Sequence, residues 1–408
     1  MSTAATHVNE RLVKLTEAGV SVWLDQIRRT LITSGELQRL VDEESLRGVT
    51  ANPSIFEKAI LGSDDYDEEL GQLARQDLSP QEIYDRIAQH DVQLACDVLA
   101  GVYRDTHGQD GFVSLEVAPD IAHDTERTLE MARVYWKAVN RPNLLIKIPG
   151  TTEGVPAIEQ AIYEGINVNI TLLFAVEAYE RVADAYLRGL ERRQRDDLPL
   201  DVHSVASFFV SRVDTNVDKK LEALGRTDLA GTAAVANARQ AYRRFKEIFD
   251  GPRWEGLRHA GAHVQRPLWA STSAKNPNYS DVKYVEELVG PHTVNTMPLA
   301  TLMAFADHGN VTGPTAEHDP TEALDALAKA GIDMGQVTEE LLVDGVKQFE
   351  DAMNSLLAGI EQERAAVITG KPKTIDAALP HDAADAIAKR VNLAMGESIA
   401  QRIWRRDP

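Results

Sequence analysis

Short apolar runs alternate with longer helical patterns along this chain, and this alternation restricts its fold more than any other feature. Between the runs, helical periodicity predicts helices that include residues 79–104, 123–139, 176–193 and 232–249. Eight runs rich in β-branched and aromatic residues are predicted strands, at 20–26, 48–52, 112–117, 144–149, 167–172, 202–210, 267–272 and 293–297. Strands that alternate with helices form parallel sheets, so we expect an α/β protein.

Two architectures use this alternation, the closed (β/α)8 TIM barrel and the doubly wound open sheet. Eight strands suit the barrel, and no Gly-x-Gly-x-x-Gly turn follows the first strand as in many dinucleotide-binding open sheets. After residue 310 the strands stop, and helices are predicted at 320–330 and 337–362. The sequence therefore predicts a (β/α)8 TIM barrel with additional C-terminal helices, occupying residues 1–365.

The remaining residues, 366–408, are predicted to be a linker and a C-terminal helical tail. A Lys-Pro-Lys segment at 371–373 resembles a linker, and 382–404 has the pattern of an amphipathic helix with basic residues in its last turn. Such a tail could pack on the barrel, mediate self-association with a second subunit, or contact a neighbouring domain. The sequence does not choose among these partners.

Charge and cysteine content restrict the partners and the location. The 63 acidic and 43 basic residues give a net charge of −20, which repels nucleic acid and anionic membrane surfaces. A phosphate ligand would therefore need local basic groups.

The single cysteine, Cys96, cannot form an internal disulfide, and no apolar stretch has the length of a membrane span. No signal-peptide pattern is present, so we expect a cytoplasmic protein.

One lysine interrupts the predicted strand 144–149, Leu-Leu-Ile-Lys-Ile-Pro. An unpaired ammonium is unfavourable inside a sheet, so Lys147 would pair with a carboxylate or lose its proton. A neutral amine can attack a carbonyl to form a Schiff base, which withdraws electrons during carbon–carbon cleavage. The alternative is a structural lysine whose head reaches water, and the strand alone does not decide between them.

Polar residues recur near the ends of seven predicted strands, where TIM barrels carry their active sites. Because alternate strand residues share a face, parity places these side chains on the inside of the barrel. They are Asp25, Thr50, Asn52, Glu116, Lys147, Asn169, Thr171, Ser207 and Ser273, with Arg212 and Lys275 just beyond their strands. We expect them to converge on one site.

Other interpretations of these residues remain open. Asp25 and Glu116 could be helix caps or salt-bridge partners of Arg28 or Arg29. Asn52, before Pro-Ser, could serve a turn, a ligand contact or both. The cations after strands six and seven could be surface charges, although two cations at neighbouring strand ends suit a phosphate dianion.

Metal and nucleotide chemistry find little support in the sequence. His259 and His263 have helical metal-ligand spacing, yet no third ligand is evident, so no metal site is predicted. The chain has neither a Gly-x-x-x-x-Gly-Lys-Ser/Thr loop nor a Gly-x-Ser-x-Gly nucleophile elbow. We therefore expect no cofactor.

Six segments together resemble transaldolases, specifically the longer bacterial form, over roughly residues 8–365. They are Ser-Val-Trp-Leu-Asp (21–25), Gly-Val-Thr-Ala-Asn-Pro-Ser (48–54), Ser-Leu-Glu-Val (114–117), Leu-Ile-Lys-Ile-Pro-Gly-Thr (145–151), Ile-Asn-Val-Asn-Ile-Thr-Leu-Leu-Phe (166–174) and Ala-Ser-Phe-Phe-Val-Ser-Arg-Val-Asp (206–214). The resemblance implies a class I aldolase barrel that transfers a dihydroxyacetone unit between sugar phosphates without cofactor or metal.

The resemblance also implies residue roles. Lys147 would form the Schiff base, Glu116 would act with Thr171 through a water, and Asp25 would take the proton of the C4 hydroxyl. The implied substrate-binding residues are Asn52, Thr50, Asn169, Ser207, Phe209, Arg212, Ser273 and Lys275. Of these, Arg212, Ser273 and Lys275 would bind the distal phosphate.

One segment departs from the family pattern. Long transaldolases tend to have Ser-Thr-Gly-Thr-Lys-Asn-Pro where this chain has Ser-Thr-Ser-Ala-Lys-Asn-Pro at 271–277, so the role of Ser273 is open. Two other functions remain as alternatives, a fructose 6-phosphate aldolase-like enzyme and a non-catalytic barrel that binds sugar phosphates.

Overall fold

The computed structural model describes residues 8–369, in which eight parallel strands close into a barrel in chain order. The last strand pairs with the first through five register positions, from Val20 with Thr293 to Leu24 with Met297. The strands are β1 Val20–Leu24, β2 Gly48–Val49, β3 Phe112–Glu116, β4 Leu144–Pro149, β5 Val168–Leu173, β6 Ser204–Phe209, β7 Arg266–Ala270 and β8 Thr293–Met297. The predicted TIM barrel is confirmed, and each strand falls within or overlaps its predicted run.

Helices surround the barrel and fill the chain between its strands. In the described residues they are α1 Glu10–Glu17, α2 Arg29–Thr33, α3 Glu36–Glu43, α4 Pro53–Leu61, α5 Asp67–Leu73, α6 Pro80–Asp105, α7 Thr125–Val139, α8 Gly154–Glu164, α9 Val176–Arg195, α10 Ser211–Ala223, α11 Ala233–Phe249, α12 Pro252–His259, α13 Lys283–Glu286, α14 Leu299–His308, α15 Thr321–Lys329 and α16 Met334–Thr369. Within the described part of the chain, none of them is long and apolar enough to cross a bilayer.

The barrel strands are buried on both faces, which explains why they appear in the sequence as continuous apolar runs. Close packing inside the barrel also fixes one glycine. A Cβ atom at Gly48 would lie 2.4 Å from the ring of Trp23, its register partner on β1. The indole is fully buried and donates its N–H to Ser21 Oγ at 2.9 Å.

The last described helix, α16, packs across α4, α5, α6 and α10 and touches β5. Its buried side chains include Phe349, Leu356 and Ile360. The helix predicted at 337–362 is present but runs from Met334 to Thr369. Residues 370–408, which hold the predicted linker and the helix at 382–404, lie outside the described residues.

Candidate active site

A cavity of about 700 Å³ opens at the carboxyl ends of the strands. Ten of the twelve predicted site residues line it, namely Asp25, Thr50, Asn52, Lys147, Thr171, Ser207, Phe209, Arg212, Ser273 and Lys275. The other two, Glu116 and Asn169, are buried in the barrel and hydrogen-bond to lining residues. The parity of the strands therefore brings the predicted set together.

Lys147 and Glu116 form a buried ion pair at the base of this cavity. The residues are register partners on β3 and β4, and Lys147 Nζ lies 2.9 Å from Glu116 Oε2. The amine also donates to the carbonyl oxygen of Ala51 at 3.1 Å. Only 4% of Lys147 and 3% of Glu116 are exposed, so the structural lysine with its head in water is excluded.

Burial raises the pKa of Glu116 above its usual value, although the charge of Lys147 opposes this shift. The negative charge of Asp25 raises it further. Glu116 Oε1 and Thr171 Oγ1 are both buried without a hydrogen-bond partner in the described residues. Since buried polar atoms are nearly always satisfied, these two atoms are available to a water or a substrate hydroxyl.

The backbone of β5 is irregular where it presents Thr171 to the cavity. Its register with β6 shifts between Ile170 and Leu173, and Leu172 has a left-handed φ of 58°. Such irregularities redirect side chains near active sites and cost conformational energy in a non-glycine residue. The position of Thr171 is therefore set by a local distortion of the strand.

Asp25 follows β1 at the wall of the cavity and accepts a hydrogen bond from Thr50 Oγ1 at 2.7 Å. Thr50 lies 2.6 Å from the hydroxyl of Thr296, which holds it in place. Burial raises the pKa of Asp25, against the opposing effects of Lys147, the Thr50 hydroxyl, Arg212 and Lys275. The arrangement gives the cavity a second carboxylate able to accept a proton.

The interpretation of Asp25 and Glu116 as salt-bridge partners of Arg28 or Arg29 is wrong. Arg28 pairs with Asp65 at 2.6 Å, and Arg29 pairs with Asp91 and with Glu69. Neither arginine forms an ion pair with Asp25 or Glu116 within the described chain.

Amide and hydroxyl side chains form the inner wall of the site. Asn169 Nδ2 donates to Ser114 Oγ at 3.0 Å, and its Oδ1 accepts from Ser207 Oγ at 2.7 Å. Asn169 thus lies beneath the cavity wall and orients Ser207. Asn52 combines both of its expected roles, because it lines the cavity and caps α4 by accepting from Ile55 N at 3.0 Å.

Besides Lys147 and Arg28, which is paired with Asp65, three cations line the cavity. Arg212 lies in the first turn of α10, Lys275 follows β7, and Lys58 projects from α4. Desolvation, Arg212 and Lys58 lower the pKa of Lys275, and Arg212 Nη1 is buried without a partner among the described residues. Ser273 Oγ accepts from Lys275 Nζ at 2.7 Å. A dianion would relieve this repulsion between like charges.

Sequence reasoning missed Lys58 and Phe349. The ring centroid of Phe349, on α16, lies 5.7 Å from Lys147 Nζ and 6.0 Å from the guanidinium carbon of Arg212. Phe209 contacts the same guanidinium at 5.2 Å. Phe349 is separated from Lys147 by about half the chain, and its only sequence signal is an apolar position on an amphipathic helix.

A buried lysine beside a carboxylate, on the face where TIM barrels carry their active sites, is the arrangement that Schiff-base-forming barrels require. Comparison with known proteins narrows the class. The family model described as "Transaldolase/Fructose-6-phosphate aldolase" matches residues 22–360, and the chain belongs to this family. The resemblance noted in the sequence motifs is confirmed.

Individual relatives match most of the chain. A protein named transaldolase from Mycobacterium tuberculosis (strain ATCC 25618 / H37Rv) is 49% identical over 86% of this chain and 96% of its own length. The transaldolase of Thermobifida fusca is 50% identical, over 87% of this chain and 98% of its own. Transaldolase 2 of Streptomyces coelicolor is 49% identical, with the same coverage.

Proposed function

We propose that this protein is a transaldolase of the pentose phosphate pathway. It would convert sedoheptulose 7-phosphate and glyceraldehyde 3-phosphate reversibly into erythrose 4-phosphate and fructose 6-phosphate. The observation that carries the proposal is the buried pair of Lys147 and Glu116 in a cation-lined cavity. Relatives named transaldolase at 49–50% identity over nearly their full length support it.

The reaction begins when Lys147 Nζ attacks the C2 carbonyl of the donor ketose. A carboxyl whose pKa is raised by burial, as that of Glu116 is, can take the ammonium proton and return it to the leaving hydroxyl. Loss of water from the carbinolamine then gives the Schiff base. Thr171 Oγ1, which is buried and unpaired in the described structure, is assigned to hold the water that connects it to Glu116.

Carbon–carbon cleavage follows with Asp25 as the base. Asp25 takes the proton of the C4 hydroxyl, the C3–C4 bond breaks, and its electrons move into the Schiff base to form an enamine. The released aldose leaves, and an acceptor aldose adds to the enamine by the reverse steps. Water then hydrolyses the new Schiff base and frees Lys147.

Side chains of the cavity wall are assigned to bind the hydroxyls of the retained three-carbon unit. Asn52 and Ser207 line the cavity directly. Asn169 lies beneath the wall and donates one amide hydrogen to Ser114. Its second amide hydrogen is assigned to a substrate hydroxyl. Thr50 holds Asp25, and Phe209 packs beside Arg212.

The cations of the outer cavity are assigned to bind the distal phosphate of the substrate. Arg212, Lys275 and Lys58 supply the positive charge, with Ser273 hydrogen-bonded to Lys275. Because the chain carries a net charge of −20, this local cluster is what allows it to bind an anionic sugar. We also place the enzyme in the cytoplasm, where its single buried thiol, Cys96, would remain reduced.

The family model carries two activities in its description, so a fructose 6-phosphate aldolase is the competing function. That enzyme would release free dihydroxyacetone without an acceptor. A coupled assay with and without an acceptor aldose separates the two. Turnover that needs the acceptor supports the transferase, and turnover at the same rate without it supports the aldolase.

Borohydride trapping with fructose 6-phosphate, followed by mass mapping, tests the covalent step. We expect an adduct on Lys147 that is lost in Lys147→Ala. Lys246→Ala is the matched control, because Lys246 pairs with Glu317 at the opposite end of the barrel. Substrate binding without any adduct would instead support a non-catalytic sugar-phosphate-binding barrel.

A further inference from the structure

A second cavity, of about 790 Å³, lies at the amino-terminal face of the barrel, opposite Lys147. Its wall is formed by the starts of several strands together with α11 and α12. The proposed transferase chemistry uses none of the residues of this cavity. Three histidines line it, and two of them, His203 and His263, lie close to each other.

Three side chains of metal-ligating type converge beside this cavity. Asp201 and His203 belong to the loop between α9 and β6, and His263 belongs to the loop between α12 and β7. Asp201 Oδ1 lies 2.9 Å from His263 Nε2 and 3.2 Å from His203 Nε2. One ligand atom of each residue lies within 4.8 Å of the others. In a tetrahedral zinc site with bonds of about 2.0 Å, neighbouring ligand atoms are roughly 3.3 Å apart. The two distances from Asp201 Oδ1 are close to this separation.

The imidazole of His203 is the second observation that indicates a ligand. Only 6% of this residue is exposed, and its Nε2 has no hydrogen-bond partner among the described residues. Asp201 Oδ1 lies near this atom without the alignment of a hydrogen bond. Buried nitrogens without partners are rare, and this one is directed at two other ligand groups.

The surrounding structure holds the two histidines in place. The His203 ring packs against Phe112 with centroids 5.0 Å apart, and its backbone N–H donates to Asn167 Oδ1 at 2.8 Å. The carbonyl oxygen of His263 accepts from Tyr186 Oη at 2.6 Å. The two imidazole centroids are 4.1 Å apart. Supported ligands of this kind lose little freedom when an ion binds.

We propose that Asp201, His203 and His263 bind a divalent transition-metal ion, of which zinc suits the ligand set best. Two imidazole nitrogens and one carboxylate oxygen favour zinc and its neighbours over Mg²⁺ or Ca²⁺, which prefer oxygen ligands. Arg266 lies close by, but Asp110 offsets its charge at 3.1 Å. The fourth coordination position would be open to solvent, since the side chain of Asp201 is 71% exposed.

The site is not evident from the sequence, because His263 lies 62 residues after Asp201 and is distant from His203 as well. The helical spacing of His259 and His263 suggested a pair of metal ligands. Instead, His259 Nδ1 lies 2.9 Å from the carbonyl oxygen of Glu255 and 3.3 Å from the carboxylate of the same residue. A bound ion would connect the loop before β6 to the loop before β7. It would therefore act on the stability of the amino-terminal face, far from the Lys147 chemistry.

Zinc binding to metal-free protein tests the site directly. We would remove metal with a chelator, then measure Zn²⁺ affinity and stoichiometry by competition with a colorimetric chelator, and record the visible spectrum of the Co²⁺ form. One ion per chain, intense Co²⁺ bands typical of tetrahedral coordination, and a raised melting temperature are expected. Mg²⁺ at the same concentration should leave the melting temperature unchanged.

Three variants assign the ion to these residues. Asp201→Asn and His203→Gln should each weaken Zn²⁺ binding by more than the roughly 10- to 100-fold typical of losing an outer-shell contact. His259→Gln, an exposed histidine of the same segment, should bind like the wild type. Asp201 is exposed, so Asp201→Asn decides the matter if His203→Gln does not fold. Absence of stoichiometric binding to the wild type, or equal binding by Asp201→Asn, would overturn the proposal. Neither result depends on transaldolase activity.

Discussion

Glu116 and Lys147 occupy paired positions on adjacent strands, and this register holds their side-chain atoms 2.9 Å apart. The strand register therefore brings the nucleophile and its carboxylate together, and the burial of both side chains restricts their conformations. A pair set in this way needs no rearrangement before reaction, which is the basis of catalytic preorganisation.

Replacing this carboxylate tests its part in Schiff base formation. Glu116→Gln keeps the size of the side chain but cannot accept or return a proton. We expect the rate of borohydride-trappable adduct formation to fall by about 10²- to 10⁴-fold, the usual contribution of a general acid–base group. Rapid-quench single-turnover trapping measures this rate. An unchanged rate would remove Glu116 from the proton transfers.

Asp25→Asn should separate adduct formation from bond cleavage. The amide cannot take the C4 hydroxyl proton, so steady-state turnover should fall by about 10²- to 10⁴-fold. Fructose 6-phosphate should still be trapped on Lys147, because Asp25 is not assigned to that step. Adduct yield and turnover measured on the same sample provide the comparison. Loss of both to the same extent would contradict the assigned role.

Much of the barrel and most of the site location could be predicted from the sequence because the barrel obeys two simple regularities. Strands buried on both faces, such as β4, appear as apolar runs, and alternate residues share a face. Polar residues such as Asp25 and Ser207 break these runs near the strand ends. Parity alone was sufficient to place them around one cavity.

Contacts made over long sequence separations could not be predicted in this way. Phe349 reaches the site from a helix whose packing angle no local pattern encodes. Lys58 is one of many helical lysines, and only the packing of α4 brings it to the cavity. In each case the determining interaction is tertiary.

The hydroxyl of Thr50 should control the acid limb of the pH–rate profile. Asp25 must be ionised to act as a base, so kcat/KM falls as the pH drops through its pKa. The Thr50 hydrogen bond lowers the pKa of Asp25 against the effect of burial. Thr50→Val should therefore raise that pKa and move the acid limb to higher pH, whereas Thr50→Ser should not. A shift to lower pH would contradict the assignment.

The cation cluster should act on substrate affinity more than on chemistry. A hydrogen bond to a charged group contributes about 1.5–3 kcal/mol, so Arg212→Gln should raise KM for fructose 6-phosphate by about 10- to 100-fold. Lys58→Gln should raise KM less, because Lys58 stands on α4 at the edge of the cluster. Steady-state kinetics with unphosphorylated fructose are the control. Similar losses with both sugars would exclude a phosphate-specific role.

Phe349 should protect the covalent intermediate from water. Its ring lies over both Lys147 and Arg212, closing the cavity from the side of α16. An enamine exposed to water can be protonated and hydrolysed before an acceptor arrives, which releases free dihydroxyacetone. Phe349→Leu should therefore raise the rate at which free dihydroxyacetone is released from fructose 6-phosphate when no acceptor aldose is present. Phe245→Leu, a buried phenylalanine at the opposite cavity, controls for the general loss of packing. Equal release by the two variants would show that the effect comes from destabilisation rather than from an opened site.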